Sequence, residues 1–334
     1  MTTVSAVVVA YGDSPFLDEC VDALLASRDV AVDVVVVDNG APAVARLADR
    51  DAVDVVRPGT NLGFAGGCNL GVAKSSGEVV ALVNPDAIVS PQALAALAGV
   101  ALGADVGIAT ASLRLADRPD VLNSGGNEVH FLGFGWAGHF GAPAAAQPAG
   151  PVTAASGAAL AVRREVWDRL GGFDEAFFAY HEDADLSVRA WQAGLSVQYV
   201  PEAVVAHHYE FGRHPAKLGL LERNRLAFVL TVYERRTLFL LAPLLLAAEA
   251  ATSVLALVQG WFGEKARGWV WLVRHAGWVR RRRRAIQAER VRSDGELAHL
   301  FADRLDPGHY RLPVATRPVE WLMARYWAAV RRLL

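Results

Sequence analysis

Short apolar runs rich in branched side chains recur through the first two hundred or so residues, each closed by turn-forming residues. Val4 to Ala10, Val32 to Val37 and Glu78 to Val83 are the first three. Their length and composition predict strands buried on both faces of a parallel sheet. Between the first two, Leu17, Cys20, Val21, Leu24 and Leu25 recur at helical spacing behind an Asp13-Ser14-Pro15 helix start. Strand, helix, strand in about forty residues is a βαβ unit, and such sheets bind ligands beyond the carboxyl ends of their strands. A further helix is predicted over Pro91 to Val100. Ser156 to Val162 then reads as a strand leading through Arg163-Arg164 into a helix that stops at Gly171-Gly172. Val197 to Val200, closed by Pro201, and Ala203 to Ala206, closed by His207-His208, are predicted as two last strands. Leu113 to Ala155, rich in Gly, Ala and Pro, is read as irregular loop facing the substrate.

Polar residues collect where these strands end. Asp38-Asn39-Gly40 closes the second strand and reads equally as an ordinary turn or as a ligand contact. Asn84-Pro85-Asp86 closes the third, where Pro85 ends the ladder and presents Asp86 past the sheet edge. Asp86 there serves either a helix N-terminus or a divalent cation bridging diphosphate oxygens. Asn61 to Gly71 gathers glycines and two asparagines ahead of a helix, a composition that lets backbone approach a phosphate. It lies too late in the chain for a dinucleotide fingerprint.

The densest chemistry lies in Gly171 to Arg189, where aromatic rings crowd against Glu182, Asp183 and Asp185 at a turn-to-helix junction. An N-terminal helix position and an Asp185 to Arg189 pair four apart explain two of these charges. Glu182 and Asp183, side by side after Phe177, Phe178, Tyr180 and His181, point to a functional carboxylate with a tunable pKa.

With 334 residues, the chain can hold one large catalytic domain and an appendage. The net charge of -2 gives no whole-chain case for nucleic acid, but Arg274 to Arg292 holds eight arginines against one glutamate. Cys20 and Cys68 are the only cysteines and lack metal-ligand spacing, which argues against a disulfide scaffold or zinc and fits a reducing cytosol. The N-terminus enters the first strand with no basic region or cleavage site, as expected without secretion.

Taken in order, Val4 to Tyr11, Asp38-Asn39-Gly40, Asn61-x-Gly63-Phe64-Ala65-Gly66-Gly67-x-Asn69-x-Gly71, Asn84-Pro85-Asp86, Gly172-Phe173-Asp174-Glu175-x-Phe177-Phe178 and Glu182-Asp183-x-Asp185-Leu186-x-x-Arg189 form one ordered set over residues 1 to 235. The set resembles the family 2 inverting glycosyltransferases of the GT-A fold, most closely the rhamnosyltransferase-like branch. The resemblance implies an α/β domain over 1–235, Rossmann-like with a mostly parallel central sheet flanked by helices; the remaining 236–334 reads from its own apolar and basic pattern as a helical region. It implies donor contacts from Ala10, Tyr11, Asp38, Asn39, Asn61, Gly63, Phe64, Gly67, Asn69, Asn84 and Asp86. Asp183 matches the family's catalytic base, and Ser156, Gly157, Tyr180, Glu182 and Arg189 fall around the acceptor or pocket. Asp86 matches the last acid of the metal-binding D-x-D, whose first acid is here Asn84, and His207 matches a position that completes the metal or diphosphate site, with His208 as the fallback. Gly12 follows Tyr11 where many relatives carry Asn. The implied cofactor is Mg²⁺ or Mn²⁺. The implied reaction moves one sugar, L-rhamnose from dTDP-rhamnose first, with UDP-galactofuranose or GDP-mannose as alternatives, onto a lipid-linked or polymeric glycan of the cell envelope. An inactive sugar-nucleotide-binding assembly partner is the reading from outside enzymes. The Q-x-x-R-W signature of processive synthases is absent, which favours single-sugar addition.

Leu238 to Leu257 is twenty residues long with one charge, Glu249, enough in length to span a bilayer. Pro243, many alanines and a central acid costing about 2.5 to 3.5 kcal/mol on insertion scales favour an interfacial or re-entrant helix instead. Trp261, Phe262, Trp269, Trp271 and Trp278 follow, interleaved with Arg267, Arg274 and Arg280 to Arg284, a mixture suited to lipid headgroups. A peripheral location at the inner face of the plasma membrane is therefore expected, with no nucleic-acid partner because no recognition fold accompanies the arginines. Pro307, Pro313 and Pro318 mark loops before an amphipathic helix, Val319 to Leu334, that offers anchors or homodimer contacts.

Overall fold

The computed structural model describes residues 1–209, 215–306, 308 and 317–334. Pro307 and Pro313 lie outside them. The chain forms two compact units, the first from residues 1–127, 137–190 and 195–210, the second from 128–136, 191–194 and 211–334.

The predicted runs become β1 (Thr3–Ala10), α1 (Leu17–Leu25), β2 (Ala31–Asp38), α2 (Gly63–Ala73), β4 (Val79–Val83) and α3 (Ala93–Ala101), joined by two short strands that the sequence reading did not mark, β3 (Val53–Val56) and β5 (Ala87–Val89). Then come β6 (Val106–Leu115), β7 (Arg118–Ser124), β8 (Asn127–Val129), β9 (Gly135–Ala137), β10 (Gly150–Pro151), β11 (Ala159–Arg163), α4 (Arg164–Leu170), α5 (Glu182–Gln192) and β12 (Ser196–His207). The main sheet runs β10-β12-β6-β11-β4-β1-β2-β3, with β5 against β12 and β7 against β6, while β8 and β9 pair separately. The β4-β1-β2-β3 half is parallel, and β11 runs antiparallel between β4 and β6. That inversion matters for the site: the residues entering β11 lie at the carboxyl end of β4, where Asn84 donates its backbone N–H to Ala158 O at 2.9 Å.

Alternate residues of β1 serve two cores. Val4, Ala6, Val8 and Ala10 join Leu17, Cys20, Val21 and Leu24 of α1 and Leu94 and Leu97 of α3 in one apolar cluster. Val7 and Val9 face α2, whose glycines let it lie flat on the strand. A Cβ at Gly71 would fall 2.3 Å from Val7 Cγ1, and one at Gly67 2.7 Å from Val9 Cγ1. The glycine-rich stretch, expected to cradle phosphate, is thus largely a helix built for close packing. Gly71→Ala is expected to destabilise the chain by about 1–3 kcal/mol through overpacking, read as a lower denaturation midpoint with an unchanged urea slope.

Leu113 to Ala155 is not one irregular loop. It completes β6 and supplies β7 to β10, because its Gly and Pro residues punctuate short strands. Nor are Val197–Val200 and Ala203–Ala206 separate strands. They belong to β12, whose register against β6 slips between Val200 and Val204, at Pro201. The first helix begins at Leu17, without side-chain capping.

The second unit is helical, with α6 (Pro215–Val232), α7 (Arg235–Val258), α8 (Phe262–Arg274), α9 (Ala276–Glu289), α10 (Asp294–Leu297) and α11 (Arg317–Arg331). Phe131 and Trp327 stack at 4.8 Å in its interior, with Phe301 edge-on to Trp327. Buried charges of α6 and α8 meet Glu249 of α7. Arg225 pairs with Glu222 at 3.1 Å and Glu249 at 2.6 Å, and Lys265 with Glu222 at 2.5 Å and Glu249 at 2.8 Å.

Candidate functional site

The carboxyl ends of β1, β2 and β4 lie side by side. Ala10 is in register with Asp38, and Val7 with Leu82. Ala10-Tyr11, Asp38-Asn39 and Asn84 to Asp86 therefore share one sheet edge, Tyr11 with its ring 67% exposed. Asp38 Oδ1 accepts the backbone N–H groups of Gly40 and Ala41 at 3.0 and 2.9 Å. This is the turn that the sequence allowed, and among the described residues it leaves the second carboxylate oxygen with only a distant Arg57 at 3.9 Å.

Several expected donor-site residues spend their side chains on the loop that opens α2. Asn39 is buried and donates Nδ2–H to Gly63 O at 2.8 Å, while Asn61 Oδ1 accepts Gly63 N–H at 2.8 Å. Gly63 has φ +72°, and a Cβ there would sit 2.3 Å from Phe178 O. Asn69 clamps the backbone of Phe173, donating to its O at 2.8 Å and accepting its N–H at 3.1 Å. These bonds tie α2 to the segment that delivers the acids.

That segment is strained. Phe178, Tyr180 and His181 all have positive φ, 64°, 70° and 75°. Ala179 N–H closes a γ-turn onto Phe177 O at 2.8 Å around Phe178, whose ψ is -64°. Each such residue costs about 1–3 kcal/mol and persists where its surroundings over-determine it. Here Phe178 O accepts Ala65 N–H from the first turn of α2 at 3.0 Å. The strained turn sets Glu182 and Asp183 at the start of α5, where the helix dipole favours negative charge.

Asp183 is half-buried. Its Oδ2 accepts Gly157 N–H at 2.9 Å and Asn127 Nδ2–H at 3.1 Å, and its Oδ1 accepts Ala184 N–H at 2.7 Å. Burial raises its pKa above the ordinary aspartate value, against the opposing pull of these donors. Glu182 beside it is fully enclosed, and burial first, then the neighbouring Asp183, push its pKa up strongly. Its Oε2 has no hydrogen-bond partner among the described residues. Glu182 is therefore the more strongly buried of two adjacent carboxyls, next to a more accessible Asp183. Burial and Glu182 also raise the pKa of Tyr180.

Gly157 connects this carboxylate to the sheet edge, since its neighbour Ala158 bonds Asn84 while its own N–H reaches Asp183. Two residues beyond Asn84, Asp86 Oδ1 is buried without a hydrogen bond among the described residues and stands 3.4 Å from Nε2 of His207. The other ring nitrogen of His207 lies 2.8 Å from Asn123 Oδ1. In the Nδ1–H tautomer His207 donates to Asn123 Oδ1 and turns its Nε2 lone pair to the carboxylate, so that two acceptors face one point. A divalent cation would fit that pair of donors. Among the described residues no cluster of three or more His, Cys, Asp or Glu is placed to hold a metal. His208 instead stacks on Phe16 at 3.6 Å.

Arg189 turns out to be internal bracing. It pairs with Asp185 at 2.8 Å and donates to Leu170 O and Gly172 O at 2.5 and 2.7 Å. Ser156 donates its backbone N–H to Thr110 Oγ1 of β6 at 3.1 Å, and Phe64 lies against Gly157. Two residues that sequence reading missed are Asn123 and Asn127, both inside the stretch expected to be loop. Their only sequence signal is that they flank Ser124-Gly125-Gly126. Asn127→Leu removes a donor to the charged form of Asp183, so the Asp183 pKa is expected to rise further. The acidic limb of the rate profile then moves to higher pH than in the wild type, which a pH series on both proteins reads directly.

Residues 2–231 match the family profile described as "Glycosyltransferase like family 2". The N-acetylglucosaminyl-diphospho-decaprenol L-rhamnosyltransferase of Mycobacterium tuberculosis is 32% identical, over 65% of this chain and 80% of its own. Among solved structures, GalNAc-T7 with UDP, GalNAc and Mn²⁺ superposes with TM-score 0.59 at 16% identity, over 70% of this chain and 48% of its own. The mannosyltransferase PcManGT of Pyrobaculum calidifontis, with GDP-Man and Mn²⁺, gives 0.51 at 18% identity over 98% and 85%. These two likenesses concern the fold.

Proposed function

The chain belongs to glycosyltransferase-like family 2, and on that premise we propose that it transfers one L-rhamnosyl unit from dTDP-rhamnose, with inversion, to a lipid-linked glycan acceptor at the cytoplasmic face of the membrane. The sugar and the lipid-borne acceptor are suggested by the mycobacterial relative's name. The observation that carries the chemistry is Asp183, an accessible carboxylate held by Gly157 N–H and Asn127 next to the edge bearing Asn84 and Asp86.

In this reading the donor lies over the carboxyl ends of β1, β2 and β4, against Ala10-Tyr11, the free oxygen of Asp38 and the loop braced by Asn39 and Asn61. Asp183 takes the proton of the acceptor hydroxyl as that oxygen forms its bond to the anomeric carbon. The bond from that carbon to the diphosphate oxygen breaks on the opposite face, and its electron pair leaves with the nucleoside diphosphate. One displacement inverts the configuration. Asp86 and His207 would hold the divalent cation, which when bound offsets the charge gathering on the leaving diphosphate. Gly157 and Asn127 keep Asp183 oriented.

The test is release of nucleoside diphosphate from a panel of dTDP-, UDP- and GDP-sugars, with and without Mg²⁺ or Mn²⁺, in detergent with a lipid acceptor extract. Metal-dependent turnover of dTDP-rhamnose alone is expected. Turnover of another donor would replace the sugar and keep the reaction, whereas silence with every donor despite saturable nucleotide binding would remove the enzyme reading.

A further inference from the structure

Helix α7 leaves an apolar face uncovered. Only 6% of its most apolar eighteen-residue window is buried, so it is not a core helix. Phe239 is 80% exposed, Leu246 72%, Val254 61% and Val258 81%. Spaced by seven or eight residues and then four, these side chains fall on one stripe. At 1.5 Å per residue the stripe runs about 28 Å along the helix.

The polar side of the same helix is consumed internally. Glu249 is paired with Arg225 and Lys265 and accepts Trp269 Nε1–H at 2.7 Å, and Thr252 accepts from Lys265 at 2.8 Å. What faces outward is apolar from Phe239 to Val258 and begins with two exposed arginines, Arg235 and Arg236. From these features we infer that α7 is an in-plane membrane helix, its stripe sunk into the acyl boundary of an anionic leaflet and its arginines at the headgroups.

Two observations select this occupant. The exposed charge at the start of the stripe is basic, Arg235 and Arg236, and α9 of the same unit exposes Arg280, Arg281 and Arg284 against one exposed acid, Glu289, a balance that complements anionic lipid. A second copy would have to meet Arg235 and Arg236, yet the only acid within α7 is Glu249, already paired inward. A spanning orientation fails for the same reason. Glu249 is locked to α6 and α8, so crossing the bilayer would draw Glu222, Arg225 and Lys265 into hydrocarbon with it. The inference concerns a surface, and its readouts need neither turnover nor a known sugar, so its failure is separate from failure of the proposed reaction.

The test uses the full-length chain and two vesicle types, phosphatidylcholine alone and phosphatidylcholine mixed with phosphatidylglycerol. Co-flotation with the mixed vesicles is expected to exceed that with the neutral ones and to fall about tenfold or more in Leu246→Glu/Val254→Glu, since charged residues oppose insertion of the apolar face. Because Cys20 and Cys68 are both buried, a polarity-sensitive dye can be placed singly on Phe239→Cys or Val258→Cys. Both labels should shift to the blue on mixed vesicles and be quenched equally by lipids brominated at one depth. Equal flotation of wild type and double variant, no dye shift, or graded depths for the two labels would each overturn the in-plane assignment. So would a wild type that ignores vesicles and forms a dimer which the double variant dissolves.

Discussion

Asp183→Asn is expected to lower kcat about 10²–10⁴-fold while leaving nucleoside diphosphate affinity unchanged. The substitution keeps the size of the side chain and an oxygen to accept Gly157 N–H, but the amide cannot take the acceptor proton. The pH profile supplies an independent check. The base works as the carboxylate, so the rate falls as pH drops through the Asp183 pKa. Burial raises that pKa, so the acidic limb is expected above the range of an exposed aspartate and should vanish from the residual activity of the variant. Glu182→Gln gives the matching control. Burial raises the pKa of Glu182 strongly, and the amide keeps its size and removes its charge, so a loss well below the about 10²-fold minimum expected of an acid or base is predicted. If Glu182→Gln were the inactive variant and Asp183→Asn the active one, the two roles would have to be exchanged.

Asp86→Asn is expected to raise the Mg²⁺ or Mn²⁺ concentration for half-maximal activity by at least the roughly 10–100-fold seen when a mere outer-shell partner of a metal is lost. Asp86 Oδ1 and His207 Nε2 are 3.4 Å apart, so in the proposed cation site removing either would take one of two protein ligands. Asn123→Leu leaves both ligands in place but frees the ring of His207, and a smaller rise in the same titration is expected. Metal titration of the two single variants and the Asp86→Asn/Asn123→Leu double variant forms a cycle. Strong coupling is expected because both act through one site. Full activity of wild type in excess chelator, unchanged in Asp86→Asn, would remove the cation from the mechanism.

The acids and the turns were readable because they follow local rules. Asp183 and Asp185 were placed at a helix start by the apolar stripe behind them, and the Asp185 to Arg189 pair by its spacing. What those rules could not supply was how each polar group is spent. Arg189 was expected at the pocket, but its guanidinium braces Leu170 O and Gly172 O. Asn69 was expected at the donor, but it holds Phe173 across 104 residues of sequence. Glycines at 67 and 71 were read for phosphate contact, although the nearby side chains of Val9 and Val7 are the reason for them. Asn123 and Asn127 were lost inside a supposed loop, because strands of three to seven residues broken by Gly and Pro carry too little periodicity to register.

The sequence by itself determined the first βαβ unit, the edge at which Asp38, Asn84 and Asp86 gather, and the family. Each of these depends on the spacing of side chains along a single element or on an ordered set of motifs, both of which are properties of the chain as written. The tertiary structure decided the rest. It ran β11 antiparallel so that Gly157 reaches Asp183, and it held three positive-φ residues against α2 to aim the acids. It also turned Glu249 inward, so that α7 shows solvent an apolar face. These outcomes depend on partners far apart in sequence, whose meeting no local pattern encodes.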